Sequence, residues 1–247
     1  MASSSQLKIV QLFPQLLGAY GDVGNLEVLA ARAGRRGLAV ELIQVGPGDQ
    51  VPAGADLYLL AGGEDPGQEV VAGQLRESSG FTKAVGAGAT VLAVCAGMQV
   101  LGHSFQLADG RDQAGVGLLD LVTKRRQTRA IGELLTEPAV QWGLPYLTGF
   151  ENHQGGSQLG PAAQPLAKVV SGIGNGADGL AGDRFEGVVQ GSIFGTYLHG
   201  PVLARNPALA DLLLAQATGL DLEPLEVPWV DQLRSERLAY VKSGRLS

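Results

Sequence analysis

The sequence predicts an α/β fold with a mostly parallel central sheet. Short apolar runs alternate with longer helical patterns over most of the 247 residues, which is typical of βαβ units. Hydrophobic residues make up 45% of the chain and charged residues 17%, so a substantial core can form and extensive disorder is excluded. Because no repeat or linker interrupts the pattern, residues 1–247 are interpreted as one domain, with a core at about 8–217 and a C-terminal tail of undetermined structure at 218–247.

The first half of the chain supplies the predicted parallel strands. Four apolar runs predict strands at Lys8–Phe13, Ala39–Val45, Leu57–Ala61 and Thr90–Val94. Helical patterns accompany them at Val23–Arg36, Gln68–Val85 and Ala96–Phe105. Parallel strands of this kind collect functional residues at their carboxyl ends.

The second half predicts an antiparallel extension of the sheet. Its strand-like runs are separated by glycine-rich turns rather than by helices, at Leu118–Thr123, Ala167–Ser171, Phe185–Gln190 and Ser192–Leu198. Asn206 followed by Pro207 predicts an N-cap and the first helical position of a helix over Ala208–Thr218.

Composition excludes several functional classes. A net charge of −6 disfavours a nucleic-acid surface, which needs clustered Lys and Arg. One cysteine and three histidines exclude an internal disulfide and a cysteine zinc cluster, and leave few ways to build any metal site. No apolar stretch approaches the ~20 residues of a membrane helix. The scarcity of cysteine and the lack of a signal-peptide pattern favour the cytoplasm.

Cys95 is the candidate nucleophile. It directly follows the predicted strand Thr90–Val94, and the small residues Ala96 and Gly97 come next. Such a strand-to-helix turn exposes a reactive atom above the sheet, and the N-terminus of the following helix would stabilise a thiolate. The alternative is a small buried cysteine that only fills the core.

His199 is the candidate general base. It follows the strand-like run Ser192–Leu198, so the strand ends place it at the same sheet edge as Cys95, where the two can form a nucleophile–base pair. The alternative is a hydrogen-bonded loop histidine. His103 is a poorer partner and is interpreted as structural, because eight helical residues place it about 12 Å from Cys95. His153 lies in a polar, loop-like segment and either lines a pocket or caps one.

A glycine pair follows another strand. Gly62 and Gly63 come directly after Leu57–Ala61, and glycines there let backbone N–H groups approach a ligand closely. One of them could complete an oxyanion hole with the N–H of Ala96. A plain loop is the alternative.

These motifs together resemble the class I, triad-type glutamine amidotransferases. The resemblance rests on the Val94–Gln99 segment VCAGMQ, the Gly-Gly loop and the Gly195–Gly200 segment GTYLHG. The histidine is followed by glycine rather than Pro-Glu, which is similar to the cobyric-acid-synthase-like branch. Within that branch the segments YGDVGN at 20–25 and YLHGP at 197–201 resemble the GatD family, the glutaminase subunits of lipid II isoglutaminyl synthases. The family's fold is flavodoxin-like, with helices on both faces of the sheet.

The resemblance implies roles for individual residues. Cys95 would attack the side-chain amide of L-glutamine to form a thioester, and His199 would carry the proton. Backbone N–H groups near Gly63 and Ala96 would hold the oxyanion. The resemblance also implies that Arg129 binds the glutamine carboxylate and that Gln99 contacts the substrate.

Two regions of the sequence keep alternative interpretations. Arg129 could instead belong to the solvated basic cluster at 124–126. Asp22 and Asn25 lie at a strand-to-helix junction, where capping is the usual role. Contact with a partner is the other possibility for these two residues.

The chain lacks a motif for using the ammonia that it would release. Amidation of a carboxylate needs ATP, yet no GxxxxGK[ST] phosphate loop occurs in the sequence. The resemblance therefore implies a separate synthetase subunit that holds ATP and Mg, and no cofactor in this chain. In the GatD family that partner is MurT, a Mur-ligase-like protein, and the pair converts the D-glutamate of lipid II to D-isoglutamine. The alternatives are a glutaminase that serves cobyrinate or another small acid, and an inactive scaffold.

The third catalytic residue has no assignment from spacing. The glutamate that many triad enzymes carry two residues after the histidine is replaced by Pro201. We therefore expect the partner to supply the carboxylate that orients His199, or to order a loop that does. Glu151 is the in-chain alternative.

Overall fold

The computed structural model describes residues 6–176 and 184–243. The strands in these residues are β1 Leu7–Leu12, β2 Val40–Val45, β3 Leu57–Leu60, β4 Thr90–Val94, β5 Ser104–Gln106, β6 Asp112–Ala114, β7 Leu121–Pro138, β8 Leu147–Leu159, β9 Ala167–Ser171, β10 Phe185–Glu186, β11 Val188–Gln190 and β12 Ile193–Thr196. The α-helices are α1 Gly24–Arg35, α2 Asp65–Glu77, α3 Ser79–Gly86, α4 Ala96–Leu101, α5 Val202–Arg205, α6 Pro207–Thr218 and α7 Pro228–Lys242.

The main sheet has the order β11-β12-β4-β3-β1-β2. Every neighbouring pair in it is parallel except β11–β12, which is antiparallel. Strands β3 and β4 are buried along their whole length, as expected where helices cover a parallel sheet. The predicted mostly parallel sheet is confirmed, and β11 adds an antiparallel edge.

A second sheet holds the remaining strands, in the order β10-β9-β7-β5-β6, with β8 also paired to β7. Its main feature is the long β7–β8 hairpin. The sequence predicted only the first few residues of β7 and none of β8. Polar and glycine residues interrupt both strands, even at buried positions of β8 such as Thr148, Glu151 and His153, so the hairpin carries no continuous apolar run that would predict a strand.

Two predicted helices differ from the structure. Helix α4 ends at Leu101, and Gly102 at its C-cap has extended backbone, with φ −69° and ψ −177°. Gly102 also packs closely, since a Cβ there would lie 2.6 Å from the Leu121 carbonyl oxygen. The chain then enters β5, so the predicted helix over 102–105 is wrong. The helix predicted over Gln68–Val85 is divided at Ser78, whose side chain accepts a hydrogen bond from the N–H of Phe81 and caps α3.

Helix α6 begins at Pro207 with Asn206 at the N-cap position, as predicted, but the Asn206 side chain makes no capping bond. Its side-chain oxygen accepts from Thr148 N at 2.9 Å, and its nitrogen donates to Thr148 O at 2.8 Å. Asn206 therefore ties the helix to β8. In the tail, α7 forms a regular helix, while residues 244–247 lie outside the described residues. Within the described part of the chain, no helix is both long and apolar enough to cross a membrane.

The strand order places the candidate residues at one edge. In the series β2-β1-β3-β4 the order reverses between β1 and β3, and ligands bind beyond the carboxyl ends of strands at such a reversal. Asp22 follows β1, the glycine pair follows β3, Cys95 follows β4 and His199 follows β12.

Candidate active site

Cys95 lies at a strained strand-to-helix elbow. Its φ of 50° and ψ of −107° are costly for a residue with a side chain, by about 1–3 kcal/mol. The conformation is held by a 2.7 Å hydrogen bond from Cys95 N to Thr196 O. Gly97 lets the turn lie against β3, since a Cβ there would be 2.6 Å from Leu60 Cβ. The predicted nucleophile elbow is therefore present.

His199 extends from the strand next to Cys95. Strands β4 and β12 pair in parallel with Val94 opposite Thr196, so both residues leave the sheet at the same end. The His199 backbone is fixed by reciprocal hydrogen bonds with Phe150, at 2.9 and 3.2 Å. Its side chain is fully buried, which gives the imidazole one defined orientation.

Asp22 supplies the missing carboxylate. Its Oδ2 lies 2.7 Å from Nδ1 of His199 and also accepts from Gly62 N at 3.1 Å. The other imidazole nitrogen, Nε2, is buried and makes no hydrogen bond to the described residues. It is therefore free to exchange a proton with a bound substrate. The expectation that a partner must provide the carboxylate is wrong, because the chain contains its own.

The junction after β1 therefore serves a purpose other than capping. Val23 occupies the N-cap of α1 and makes no side-chain cap bond. Asn25 Oδ1 accepts from Leu203 N at 3.0 Å and fixes the segment that follows His199. Instead of capping the helix or contacting a partner, the side chains of Asp22 and Asn25 make hydrogen bonds within the chain.

The surroundings of His199 favour its charged form. Burial by itself would lower the pKa of His199, but the interactions with Asp22 and Cys95 outweigh burial and raise that pKa to about 10. The imidazole of His199 is thus protonated at neutral pH. The ring of Tyr20 packs edge-on against the imidazole, with centroids 4.8 Å apart.

A cavity of about 420 Å³ opens beside Cys95. Arg129, Gln99 and Gly63, three of the four residues expected at the substrate, line it, whereas the buried Ala96 does not. Glu64 also lines it and gives the wall a carboxylate opposite in sign to Arg129. A wall with both charges and a reactive thiol suits a small zwitterionic ligand.

Arg129 is held rather than loosely solvated. Its Nε donates to Asn152 Oδ1 at 2.5 Å, and Nη2 approaches the hydroxyl of Tyr20 at 3.4 Å. Asn152 Nδ2 donates to the same hydroxyl at 2.8 Å. Because Tyr20 also contacts His199, the guanidinium is positioned relative to the catalytic pair.

Gln99 is fixed by its neighbours. Its oxygen accepts from Gln68 Nε2 at 2.8 Å and its nitrogen donates to the Tyr197 hydroxyl at 3.0 Å. A Cβ on Gly155 would lie 2.4 Å from that nitrogen, so the space around the amide is filled. Gln99 forms part of the cavity wall, and its amide is already hydrogen-bonded within the chain.

The two N–H groups expected to hold an oxyanion are available. Those of Gly63 and Ala96 donate to no other group in the described part of the chain, whereas that of Gly62 is used by Asp22. Gly63 is also sterically required, since a Cβ there would lie 2.6 Å from Leu17 Cδ2. The free pair flanks Cys95 from the ends of β3 and β4.

The other histidines lie outside the catalytic pair. His103 is on an exposed turn, not on a helix, and pairs with Asp120 at 3.2 Å. His153 lines the cavity and stacks on Tyr197 at 3.7 Å, and burial lowers its pKa. Glu151 accepts hydrogen bonds from the N–H groups of Ile173 and Gly174 and is not the third catalytic residue.

A second buried carboxyl supports the strand that carries His199. Glu186 Oε1 accepts from Thr196 Oγ1 at 2.8 Å and from Tyr197 N at 2.6 Å. Burial raises the pKa of Glu186 to about 7, and the hydrogen bonds only partly oppose it. Among the described residues, no group of three or more His, Cys, Asp or Glu side chains is arranged to hold a metal ion.

Sequence reasoning missed Asp22, Tyr20, Asn152 and Gln68 as parts of this site. Asp22 could have been found, because it follows β1 and the strand-end rule applies to it as it does to Cys95. Tyr20 also lies in the segment after β1, but its relation to Arg129, like that of Asn152, depends on how the β7–β8 hairpin lies over the sheet edge.

Comparisons with known proteins agree with this geometry. The family model of the CobB/CobQ-like glutamine amidotransferase domain matches residues 8–207. The GatD subunit of lipid II isoglutaminyl synthase (glutamine-hydrolyzing) from Staphylococcus aureus is 28% identical over 97% of each chain. The same subunit from Streptococcus pneumoniae is 31% identical over 95% of this chain and 89% of its own.

Matches beyond these subunits are more partial. Cobyric acid synthase from Sphingopyxis alaskensis is 32% identical over 72% of this chain but only 35% of its own length. Among solved structures, a glutamine amidotransferase superposes with a TM-score of 0.55 at 21% identity, over 85% of this chain and 98% of that one. This last likeness supports the fold.

Proposed function

The chain belongs to the CobB/CobQ-like glutamine amidotransferase family, and from that premise we propose that it is the glutaminase subunit of a two-subunit enzyme that amidates lipid II. It hydrolyses L-glutamine to glutamate and ammonia, and passes the ammonia to a MurT-type synthetase subunit. That subunit would hold ATP and Mg and convert the D-glutamate of the stem peptide to D-isoglutamine. The reaction would take place in the cytoplasm.

One observation carries the glutaminase activity: Cys95, His199 and Asp22 converge at the carboxyl edge of the sheet, beside the cavity. The Cys95 thiolate attacks the side-chain carbonyl carbon of glutamine, and backbone N–H groups of Gly63 and Ala96 stabilise the oxyanion. The C–N bond then breaks while protonated His199 donates its proton to the departing nitrogen, which leaves as ammonia.

Water completes the cycle. Neutral His199 accepts a proton from a water molecule that attacks the Cys95 thioester, and glutamate leaves as the C–S bond breaks. The thiolate and the imidazolium are then restored. Throughout, Asp22 holds Nδ1 protonated and stabilises the imidazolium, which is the task that its 2.7 Å hydrogen bond fits.

The charged cavity wall orients the substrate. The Arg129 guanidinium, fixed by Asn152, suits a bidentate contact with the α-carboxylate. Glu64 lies at the N-cap of α2 but makes no cap bond with its side chain, so its carboxylate is available to the α-ammonium group. The two contacts would leave the side-chain amide directed at Cys95.

The choice of lipid II rests on the subunit relatives. They match nearly the whole chain and nearly their own whole length, whereas the cobyric acid synthase match spans about a third of that protein. The amidation of cobyrinate or another small acid is therefore the weaker candidate. An inactive scaffold is disfavoured by the complete triad.

The test starts with the purified chain alone. Because the triad is complete, we expect it to release glutamate and ammonia from glutamine without a partner, and Cys95→Ser to release none while keeping the wild-type melting transition. With the synthetase subunit, ATP, Mg and lipid II present, ¹⁵N from amide-labelled glutamine should appear in D-isoglutamine. Transfer of ¹⁵N to cobyrinic acid instead would overturn the choice of acceptor, and an inactive wild-type chain would overturn the activity.

A further inference from the structure

The C-terminal helix α7 is fixed to the body of the protein by one face. Arg234 donates to Arg205 O and to Asn206 Oδ1, each at 3.0 Å. Arg237 Nη1 donates to Glu133 Oε1 at 3.2 Å, and Val241 is buried. The helix is therefore an ordered part of the structure with a defined outward face.

The segment that leads into α7 is also tied down. Arg32 and Arg36 of helix α1 donate to the carbonyl oxygens of Leu225 and Glu223, at 3.3 and 3.1 Å. The Arg35 guanidinium lies 5.9 Å from the centre of the Trp229 ring. The start of α7 is thus held against α1, and Trp229 is held in place although it is exposed.

One flank of α7 carries large apolar side chains that are exposed to solvent. Trp229, Leu233 and Tyr240 are 67%, 60% and 50% exposed. Together with Glu236 they are spaced at i, i+4, i+7 and i+11, so they form one stripe along the helix. A cavity of about 400 Å³ adjoins the stripe, between α7 and Glu133 of β7.

The composition of this stripe is that of a protein interface. Trp and Tyr are enriched among residues that dominate binding energy, and they anchor best in partner pockets that exclude water. Burying three such side chains would remove apolar surface that otherwise stays in water. Glu236 adds one negative charge at the centre of the stripe, which favours a basic group opposite it.

The comparisons with known proteins indicate which kind of partner would bind the α7 stripe. The amidotransferase family model ends at residue 207, before α7. Cobyric acid synthase matches only 72% of this chain and is itself much longer. The GatD subunits match 95–97% of the chain. At 97%, the match omits fewer residues than the 15 of α7, so it includes at least part of that helix. The region that includes α7 is thus shared with the GatD relatives, which are named as subunits of a larger enzyme.

We propose that the α7 stripe, Trp229, Leu233, Glu236 and Tyr240, is the docking surface for the separate ATP-dependent synthetase subunit that consumes the ammonia. This inference rests on the proposed function. A glutaminase that is not fused to its synthetase needs a surface that holds the two chains together, and α7 lies beyond the residues that the family model matches. The stripe lies outside the catalytic machinery, so it can bind a partner without contributing to the triad.

The test compares two double variants in the full-length chain. In Trp229→Ala/Leu233→Ala the stripe is removed, whereas the control Ile131→Ala/Val140→Ala removes two exposed apolar side chains elsewhere, 63% and 93% exposed. Each is titrated with the purified synthetase subunit of the same organism in sedimentation-velocity experiments. We expect the stripe variant to raise Kd at least about tenfold, the usual effect of losing an interface anchor, and the control to stay within about twofold.

Independent readouts separate the possible failures. Glutamine hydrolysis by the isolated stripe variant should equal that of the wild type, and its ATP-dependent amidation of lipid II in the mixture should fall with binding. Wild-type affinity in the stripe variant would overturn the docking surface and leave the proposed function standing. If the wild-type chain neither binds the synthetase nor supports amidation, both fail. Loss of self-association with unchanged synthetase binding would assign the stripe to a second copy of this chain and overturn the proposal.

Discussion

Nδ1 of His199 lies 2.7 Å from Oδ2 of Asp22, although 177 residues separate them in the sequence. Both side chains are fully buried, and Gly62 N donates to the same carboxylate oxygen. The hydrogen bond completes a Cys–His–Asp triad within one chain. The same protein also carries an exposed pair of the same chemistry, His103 and Asp120, at 3.2 Å.

The first prediction uses these two pairs as test and control. Asp22→Asn should lower kcat for glutamine about 10²–10⁴-fold, because the imidazole loses the group that fixes its tautomer and stabilises its charge. The pKa of His199 should fall from about 10, since the interaction with Asp22 is one of the causes that raise it. Steady-state kinetics and an NMR titration of the imidazole measure the two effects.

Asp120→Asn is the matched control for that experiment and should leave both values unchanged. If Asp22→Asn kept the wild-type kcat and the same His199 titration, Asp22 would not be the third catalytic residue.

The second prediction concerns the glycine behind the triad. A Cβ on Gly62 would lie 2.7 Å from His199 Cε1 and 3.0 Å from Asp22 Oδ2, so Gly62→Ala must displace one of them. A displacement of about 1 Å in a catalytic group can cost about 10² in rate, and we expect a loss of that size in kcat. Gly34→Ala in α1, where a Cβ would meet nothing within 4 Å, should retain full activity. Equal kcat values for the two variants would contradict the packing described here.

The third prediction tests how the substrate carboxylate is held. Arg129→Ala should lower kcat/KM for glutamine about 10–10²-fold, the range for a lost hydrogen bond to a charged group. Labelling of Cys95 by iodoacetamide, which has no carboxylate, should change little. Arg125→Ala removes a second guanidinium from the same cavity wall and should have the smaller effect on kcat/KM. A parallel loss of labelling in Arg129→Ala would indicate a structural role instead.

The fourth prediction concerns the α-ammonium group of glutamine. Glu64→Gln should lower kcat/KM for glutamine about tenfold, since a charge-assisted hydrogen bond becomes a neutral one. The same variant should hydrolyse 4-carbamoylbutanoate, which lacks the amine, at the wild-type kcat/KM. A similar loss with both substrates would show that Glu64 acts on the cavity rather than on the ammonium group.

The fifth prediction is a pH dependence of stability. Burial raises the pKa of Glu186 from 4.5 to about 7, so the folded protein keeps a proton that the unfolded chain releases. The contribution of Glu186 to the free energy of unfolding should therefore fall as the pH rises from about 4.5 to 7, and Glu186→Gln should remove this contribution. Between pH 5 and 8 the wild type should lose about 2 kcal/mol relative to the variant.

Urea unfolding at the two pH values measures that difference. The exposed Glu77→Gln is the control and should follow the wild type at both. A wild type that becomes more stable than Glu186→Gln as the pH rises would reverse the sign and refute the assignment.

The sequence by itself determined the parallel strands, the elbow at Cys95 and the pairing of Cys95 with His199. Each of these depends on local signals: an apolar run, small residues after it, and the rule that parallel strands end at one edge. The same signals failed for β8 and most of β7, where polar and glycine residues leave no continuous apolar run. They also failed at Gly102, where the backbone becomes extended and the helix ends.

Only the tertiary structure revealed the hydrogen bond between Asp22 and His199 and the orientation of Arg129. Asp22 follows β1, and it reaches His199 because the sheet places β1 two strands from β4 and three from β12. Arg129 contacts Tyr20 because the β7–β8 hairpin lies over the edge of the main sheet. No short sequence segment predicts that position of the hairpin. Hydrogen bonds between side chains far apart in sequence depend on strand order and on how one sheet packs over another, and these are properties of the folded chain as a whole.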